Sequence, residues 1–197
     1  MSRPGLFLLM TTCLAVTKTC SVHEFESTYL IGTMSINIQI RPLTSQEQAF
    51  LWDMLHEAIY VPEGQDACAR EVIQQPSLAC YAQNWGRLGD VGFIAVGTAN
   101  DQLIGAVWLR LLVGQNRGYG YVDDATPELS MALLPHYRAQ GIGTRLLGHL
   151  LVGQRARSPI SLSVSVGNPA RRLYERFGFE TVSQSGTSLV MLRKGEG

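Results

Sequence analysis

An apolar, β-prone run from Pro127 to Leu134 leads through Pro135-His136-Tyr137 into Arg138-Ala139-Gln140-Gly141-Ile142-Gly143-Thr144 and straight on into a helical pattern. Ile142, Leu146, Leu147, Leu150 and Leu151 share one face, so Gly141 to Arg155 is predicted to be a helix packed on the sheet that contains the preceding strand. The first amides of a helix lack intrahelical acceptors and lie at the positive end of its dipole, so this junction suits an anion held by backbone donors. Gly141 and Gly143 remove side chains where a ligand would approach, and the amides from Ala139 to Thr144 are the expected donors. Glycines at this spacing also serve tight helix packing alone, and the loop by itself leaves both readings open.

Two nucleotide patterns can be tested on the same residues, and both fail. A Walker A loop ends in Gly-Lys-Ser/Thr, whereas Gly143 is followed by Thr144 and Arg145. A dinucleotide fingerprint needs a third glycine where Leu146 stands.

The rest of the chain reads as strands and short helices. Ile36, Ile38 and Ile40 alternate with polar residues over Ser35 to Arg41, the period of a half-buried strand. Thr44 and Glu47 form a capping-box pattern ahead of a helix with Phe50, Leu51, Met54, Leu55, Ala58 and Ile59 on one face, ending near Tyr60. Arg70 to Gln75 and Ser77 to Trp85 are predicted as two helical pieces separated by Pro76. Val91 to Val96 and Leu103 to Val113 read as a hairpin. Leu162, Val164 and Val166 alternate with serines in another half-buried strand. Asn168 as N-cap, Pro169 at the first turn and Gly178 past the end delimit a helix over Ala170 to Phe177, before a closing hairpin of Phe179 to Gln184 and Thr187 to Arg193. This order predicts an α/β (α+β) domain with a mixed sheet and helices packed on it.

Lys+Arg and Asp+Glu both number 16, and no basic run is interleaved with aromatics, which argues against nucleic-acid and membrane partners and for a small-molecule or peptide one. Cys13, Cys20, Cys68 and Cys80 form no metal-binding spacing, so no metal is expected. Residues 1–33 carry Arg3, an apolar run from Gly5 to Val16 and then polar residues; as a helix the run spans about 18 Å, too short for a bilayer. The segment is read as an N-terminal extension, disordered or a misassigned start ahead of Met34, with a signal peptide second and a membrane anchor last. Residues 34–197 form the domain, and a cytoplasmic location is expected.

The run from Leu129 to Leu147, with Arg138-Ala139-Gln140-Gly141-Ile142-Gly143 at its centre, resembles the strand, Q/R-x-x-G-x-G/A loop and helix of the GNAT N-acetyltransferase family. Asn168 to Phe179, with Leu173-Tyr174-Glu175 and Gly178-Phe179, resembles that family's second signature, and the likeness covers residues 36 to 193. It implies the GNAT fold, a mostly antiparallel mixed central sheet flanked by helices, and acetyl-CoA as acyl-donor cosubstrate. It further implies that Met131, Ala132 and Leu133 follow the pantetheine arm through backbone hydrogen bonds, and that Arg138, Ala139, Gln140, Gly141, Ile142, Gly143 and Thr144 hold the pyrophosphate. The family's cofactor-contacting asparagine corresponds to Gly167, with Asn168 one position later. Asn168 therefore carries two readings, cofactor contact and helix cap.

Acetyl transfer to an amine requires a neutral amine, a stabilised oxyanion and a protonated leaving thiolate. Tyr174 is the candidate proton donor, against a reading as a core aromatic on a helix face. Glu128 is the first choice of base, ahead of Asp123 and Asp124, against a reading as a solvated or salt-bridged strand-end carboxylate. An amide near Leu133 or Leu134 is the expected oxyanion donor. Tyr60, Trp85, Trp108, Tyr119 and Tyr121 are expected around the acceptor, with core packing as the alternative. His136 lies too near the phosphate loop for a base, and His56 and His149 are expected to be solvated. The acceptor is thus expected to be an amine of a small molecule or peptide. The rivals are protein N-terminal or lysine acetylation and a catalytically silent acyl-CoA-binding module, and the fold is compatible with a homodimer.

Overall fold

Alternation in the first strand puts Ile38 inside and Gln39 outside, and β1 (Ile38–Pro42) pairs antiparallel with β2 (Val91–Gly97), with Ile38 opposite Gly97. The computed structural model describes residues 37–62, 64–153 and 158–195, so the extension expected at 1–33 lies outside the described residues. The Glu47 carboxylate accepts from the Thr44 N–H at 2.8 Å and from its hydroxyl at 2.7 Å, holding a 3-10 turn that runs into α1 (Gln48–Ala58). α1 buries Leu51, Met54 and Leu55. Pro76 divides a 3-10 turn at Arg70–Gln74 from α2 (Pro76–Ala79), which is shorter than expected. The reason lies in the carbonyls of Cys80, Gln83 and Asn84, which accept from the Arg110 guanidinium instead of continuing a helix.

β2 turns back into β3 (Leu103–Arg110), and β3 pairs with β4 (Glu128–Leu133). A crossover through α3 (Ile142–Gly153) leads to β5 (Ile160–Ser165), the parallel neighbour of β4. α4 (Arg171–Arg176) precedes the hairpin of β6 (Glu180–Ser185) and β7 (Ser188–Arg193). The sheet order is β1-β2-β3-β4-β5-β7-β6, antiparallel at every pairing except β4 with β5. This is the mixed, mostly antiparallel architecture the sequence implied.

Each sheet face carries its own core. On one, Leu146, Leu147 and Leu150 of α3 are fully buried against Ile104, Val107, Leu129, Ile160 and Leu162, each such side chain contributing about 2 kcal/mol. On the other, Leu51, Met54, Trp85 and Trp108 pack beneath α1 and the α2 segment. There Arg110 forms a buried ion pair with Asp90, Nη2 to Oδ2 at 2.6 Å, which ties the α2 segment to the sheet.

Candidate active site

Ligands of open sheets with parallel strands bind beyond the carboxyl ends of those strands. Here the parallel pairing of β4 with β5 consists of one register pair, Glu128 with Ser161. The Ser161 N–H donates to the Pro127 carbonyl at 3.1 Å, while the Leu134 N–H donates to Ile104 on β3 at 2.9 Å. Alternation along the strand then turns the main-chain groups of Met131 and Leu133 toward β5, past the end of the ladder, and those of Ala132 toward β3. Met131 and Leu133 thus present backbone to the seam in the way an extended amide-bearing chain requires. Ala132 is committed to the sheet, and so is the Leu134 amide, which removes Leu134 from the two oxyanion candidates.

Past β4, the 3-10 turn Pro135–Tyr137 leads to Ala139 at φ +59° and Gly141 at φ +78°, two left-handed residues flanking Gln140. A Cβ at Gly141 would touch nothing within 4 Å, so glycine is required there by conformation, at about 1 kcal/mol for any other residue. Gly143 has a different role, lying against Leu173 and Met131 and letting α3 sit close on the seam. The first helical bond runs from Arg145 N–H to the Gly141 carbonyl at 3.1 Å. The main-chain N–H groups from Ala139 to Thr144 have no acceptor among the described residues. Such a crown of free donors at a helix start fits a pyrophosphate. The side chains of Gln140 and Arg138 turn elsewhere. Gln140 donates to the His136 carbonyl at 2.7 Å. Arg138 donates to the Leu133 carbonyl at 3.0 Å and to Glu57 of α1 at 2.6 Å.

Tyr174 of α4 is buried, packed edge-on to Phe179 with centroids 5.9 Å apart, and its hydroxyl has no hydrogen-bond partner among the described residues. Burial pushes the phenol up to about 12, which keeps its proton on at neutral pH. Core packing and an available O–H therefore coexist in one side chain. Asn168 caps a turn, its Oδ1 accepting from Ala170 N–H at 2.9 Å, and α4 itself starts one residue later than predicted. Its neighbour Gly167 accepts from the Tyr60 hydroxyl at 2.9 Å, so the end of α1 reaches the residues following β5 as well as Arg138 after β4.

The expectation of a solvated Glu128 is overturned, since the residue is 3% exposed. Its Oε1 accepts from the Tyr81 hydroxyl and from Gly120 N–H at 2.7 Å, while the Tyr119 N–H donates to the Tyr81 oxygen at 2.7 Å. Desolvation pushes the carboxyl up to about 6, against the two hydrogen bonds that favour its charge. Asp123 and Asp124 are exposed loop residues, the first accepting from Ala125 N–H and the second from the Tyr121 hydroxyl. The aromatics do not gather into one pocket: Trp85 and Trp108 belong to the core under α1, Tyr119 is exposed, and Tyr121 stacks under Arg117. Of the histidines, His149 is exposed and packs on Phe93, but His56 is tied to the Cys68 carbonyl at 2.9 Å. Tyr81 and the two glycines Gly118 and Gly120 escaped the sequence reading, which had named only Tyr119 between them. Their signal was the alternation Gly118-Tyr119-Gly120-Tyr121, glycines set between rings where a chain presses against a packed surface.

A family model described as an acetyltransferase (GNAT) domain matches residues 89–181. The chain resembles the PaiA N-acetyltransferase of Thermoplasma acidophilum, solved in complex with coenzyme A, at 20% identity and TM-score 0.54, over 80% of this chain and 99% of that one. It also resembles the ribosomal-protein-S18-alanine N-acetyltransferase of Escherichia coli at 18% identity and TM-score 0.54, over 82% and 97%. A chimera of the Vibrio cholerae spermidine N-acetyltransferase SpeG follows at 19% and 0.51, over 80% and 95%. At these identities the likeness is one of fold. No curated protein matches the chain in sequence. Residues 89–181 carry the match to a GNAT acetyltransferase domain, a domain of the acyltransferase class.

Proposed function

We propose that this chain transfers an acetyl group from acetyl-CoA directly to an amine of a small molecule or peptide. The carrying observation is the run of unpartnered amides from Ala139 to Thr144, set at the head of α3 beside the place where the β4–β5 ladder ends. Those amides are the donors for the pyrophosphate, with the main chain of Met131 and Leu133 alongside the pantetheine arm. Arg138 acts as a brace between the loop and α1, and Asn168 as a cap on the turn before α4. Acetyl-CoA supplies the thioester carbon that the amine attacks. Glu128 takes the proton that frees the amine, and the Tyr174 hydroxyl, lacking any other partner, gives a proton to the departing thiolate. That free hydroxyl favours catalysis over a silent binding module. The cytoplasmic location belongs to the same proposal; among the described residues no helix is long and apolar enough to cross a membrane.

The test is thiol release from acetyl-CoA across a panel of amines and peptides, with cofactor affinity measured in parallel. A Cβ at position 141 meets no protein atom within 4 Å, so Gly141→Glu should weaken coenzyme A by about tenfold or more through charge repulsion and backbone strain. Unchanged affinity would remove the loop assignment, and tight cofactor binding with no amine-stimulated thiol release would remove the transferase.

A further inference from the structure

Among the described residues β1 is an end strand of the sheet, paired with β2 on one side alone. The Thr98 N–H donates to the Asn37 carbonyl and the Leu43 N–H to the Gly92 carbonyl, so Asn37, Gln39, Arg41 and Leu43 turn their main chain toward β2. Ile38, Ile40 and Pro42 therefore turn theirs outward, and Pro42 has no N–H to give. The Ile38 carbonyl accepts from Arg145 Nη2 of α3 at 3.1 Å. The Ile38 N–H and both main-chain groups of Ile40 have no partner among the described residues.

Beside this edge lies an open groove between β1 and α3, lined by Ile40, Thr144, Arg145, Gly148, His149 and Val152. Its apolar part is uncovered: Ile40 is half-buried, and Val152 is 80% exposed although the preceding Leu150 and Leu151 lie in the core. Its polar part is cationic or neutral. Arg145 is exposed and forms no ion pair among the described residues, and no carboxylate lines the groove. His149 is fixed at the rim, packed edge-on to Phe93 with ring centroids 4.7 Å apart. Unpaired main-chain groups beside an uncovered apolar surface and an unmatched cation suit an extended peptide that joins the edge as a further strand.

We propose that the outer edge of β1 is a docking site for an extended segment of a partner protein, added as an antiparallel strand with the pattern apolar, any residue, acidic. The residue opposite Ile40 exchanges both main-chain hydrogen bonds with it. Directly opposed side chains leave the same face, so the apolar side chain of that residue lies over the groove beside Ile40. The second residue along then stands opposite Ile38, whose carbonyl Arg145 already holds, and a carboxylate there meets the guanidinium. The residue between them points to the other face and is unrestricted. A second copy of this chain fits poorly, because pairing Ile40 with Ile40 sets Pro42 opposite Ile38, with neither an amide nor a carboxylate to offer. Docking here engages neither the amides of the phosphate loop nor the β4–β5 seam, so it stands whether or not the chain transfers acetyl groups.

The test titrates the full chain with the peptide acetyl-Thr-Val-Thr-Glu-Thr-amide, which has no amine to accept an acetyl group, and follows the backbone amides by NMR and hydrogen exchange. The Ile40 amide should exchange at least about tenfold more slowly at saturating peptide. N-methylation of the valine removes the bond to the Ile40 carbonyl and should abolish binding. N-methylation of the threonine that follows it, whose amide points away from β1, should weaken binding by less than about threefold. Glutamine in place of the glutamate should weaken it by about three- to fivefold, an effect that fades with added salt. Arg145→Glu should prefer the peptide with arginine in that place by about fivefold or more, a reversal that misfolding does not produce. Coenzyme A at saturation should leave the peptide bound. Absence of binding at millimolar peptide, or binding indifferent to the N-methyl position and to the glutamate, would overturn the site. So would displacement of the peptide by coenzyme A, which assigns the groove to the acyl donor, or Ile40 protection that rises with protein concentration alone, which assigns it to a second copy.

Discussion

Glu128 shows how one carboxylate couples stability to chemistry. Its folded pKa of about 6 lies above the ordinary 4.5, so the native state holds its proton where the unfolded chain has released it. The resulting stability is present below about pH 4.5 and is lost as pH rises through about 6, a change of about 2 kcal/mol. Urea denaturation between pH 4 and 8 should show this fall in the wild type and not in Glu128→Gln. Activity should run the other way, rising through an acid limb near pH 6 as the base ionises. Tyr174 makes the opposite case. Its hydroxyl has no partner to lose, so Tyr174→Phe should change stability by less than about 0.5 kcal/mol while lowering kcat by about 10²-fold. A kcat loss matched by an equal loss of stability would return Tyr174 to the core.

At the scale of elements, patterning in the sequence marked nearly every strand and helix, because Ile38, Leu51, Leu146 and their neighbours repeat with the period of the element they build. What it could not mark are elements cut short by partners far along the chain. The helix expected to reach Trp85 stops at Ala79, since Arg110, some thirty residues away, claims its carbonyls. The same distance hid Tyr81 beside Glu128, while the glycine loop and the Asn168 turn were legible as local chemistry. Arg110→Met should cost about 3–5 kcal/mol in chemical denaturation, because it leaves Asp90 charged and buried and three carbonyls without donors. Arg138→Ala removes a more exposed brace. It should cost at most about 1 kcal/mol of stability but raise the acetyl-CoA KM several-fold as the loop loses its tie to α1.

For the molecule as a whole, the sheet consists of β1 to β4 on one side and β5 to β7 on the other, joined at the single register pair of Glu128 and Ser161. A ligand that contacts both sides adds its binding free energy to their union. Coenzyme A at 100 times its Kd should therefore add about 2.7 kcal/mol and raise the melting temperature by several degrees, in proportion to the logarithm of its concentration. The same junction has a mechanical meaning. Load applied between β1 and β7 reaches a line where the ladder offers one backbone pairing in place of the six found at each of its neighbours. In an optical trap the domain should tear there first, at low force, and saturating coenzyme A should shift the rupture to higher force. The opening proposed to admit the donor is thus also the tear line of the fold, and occupancy should be readable as toughness.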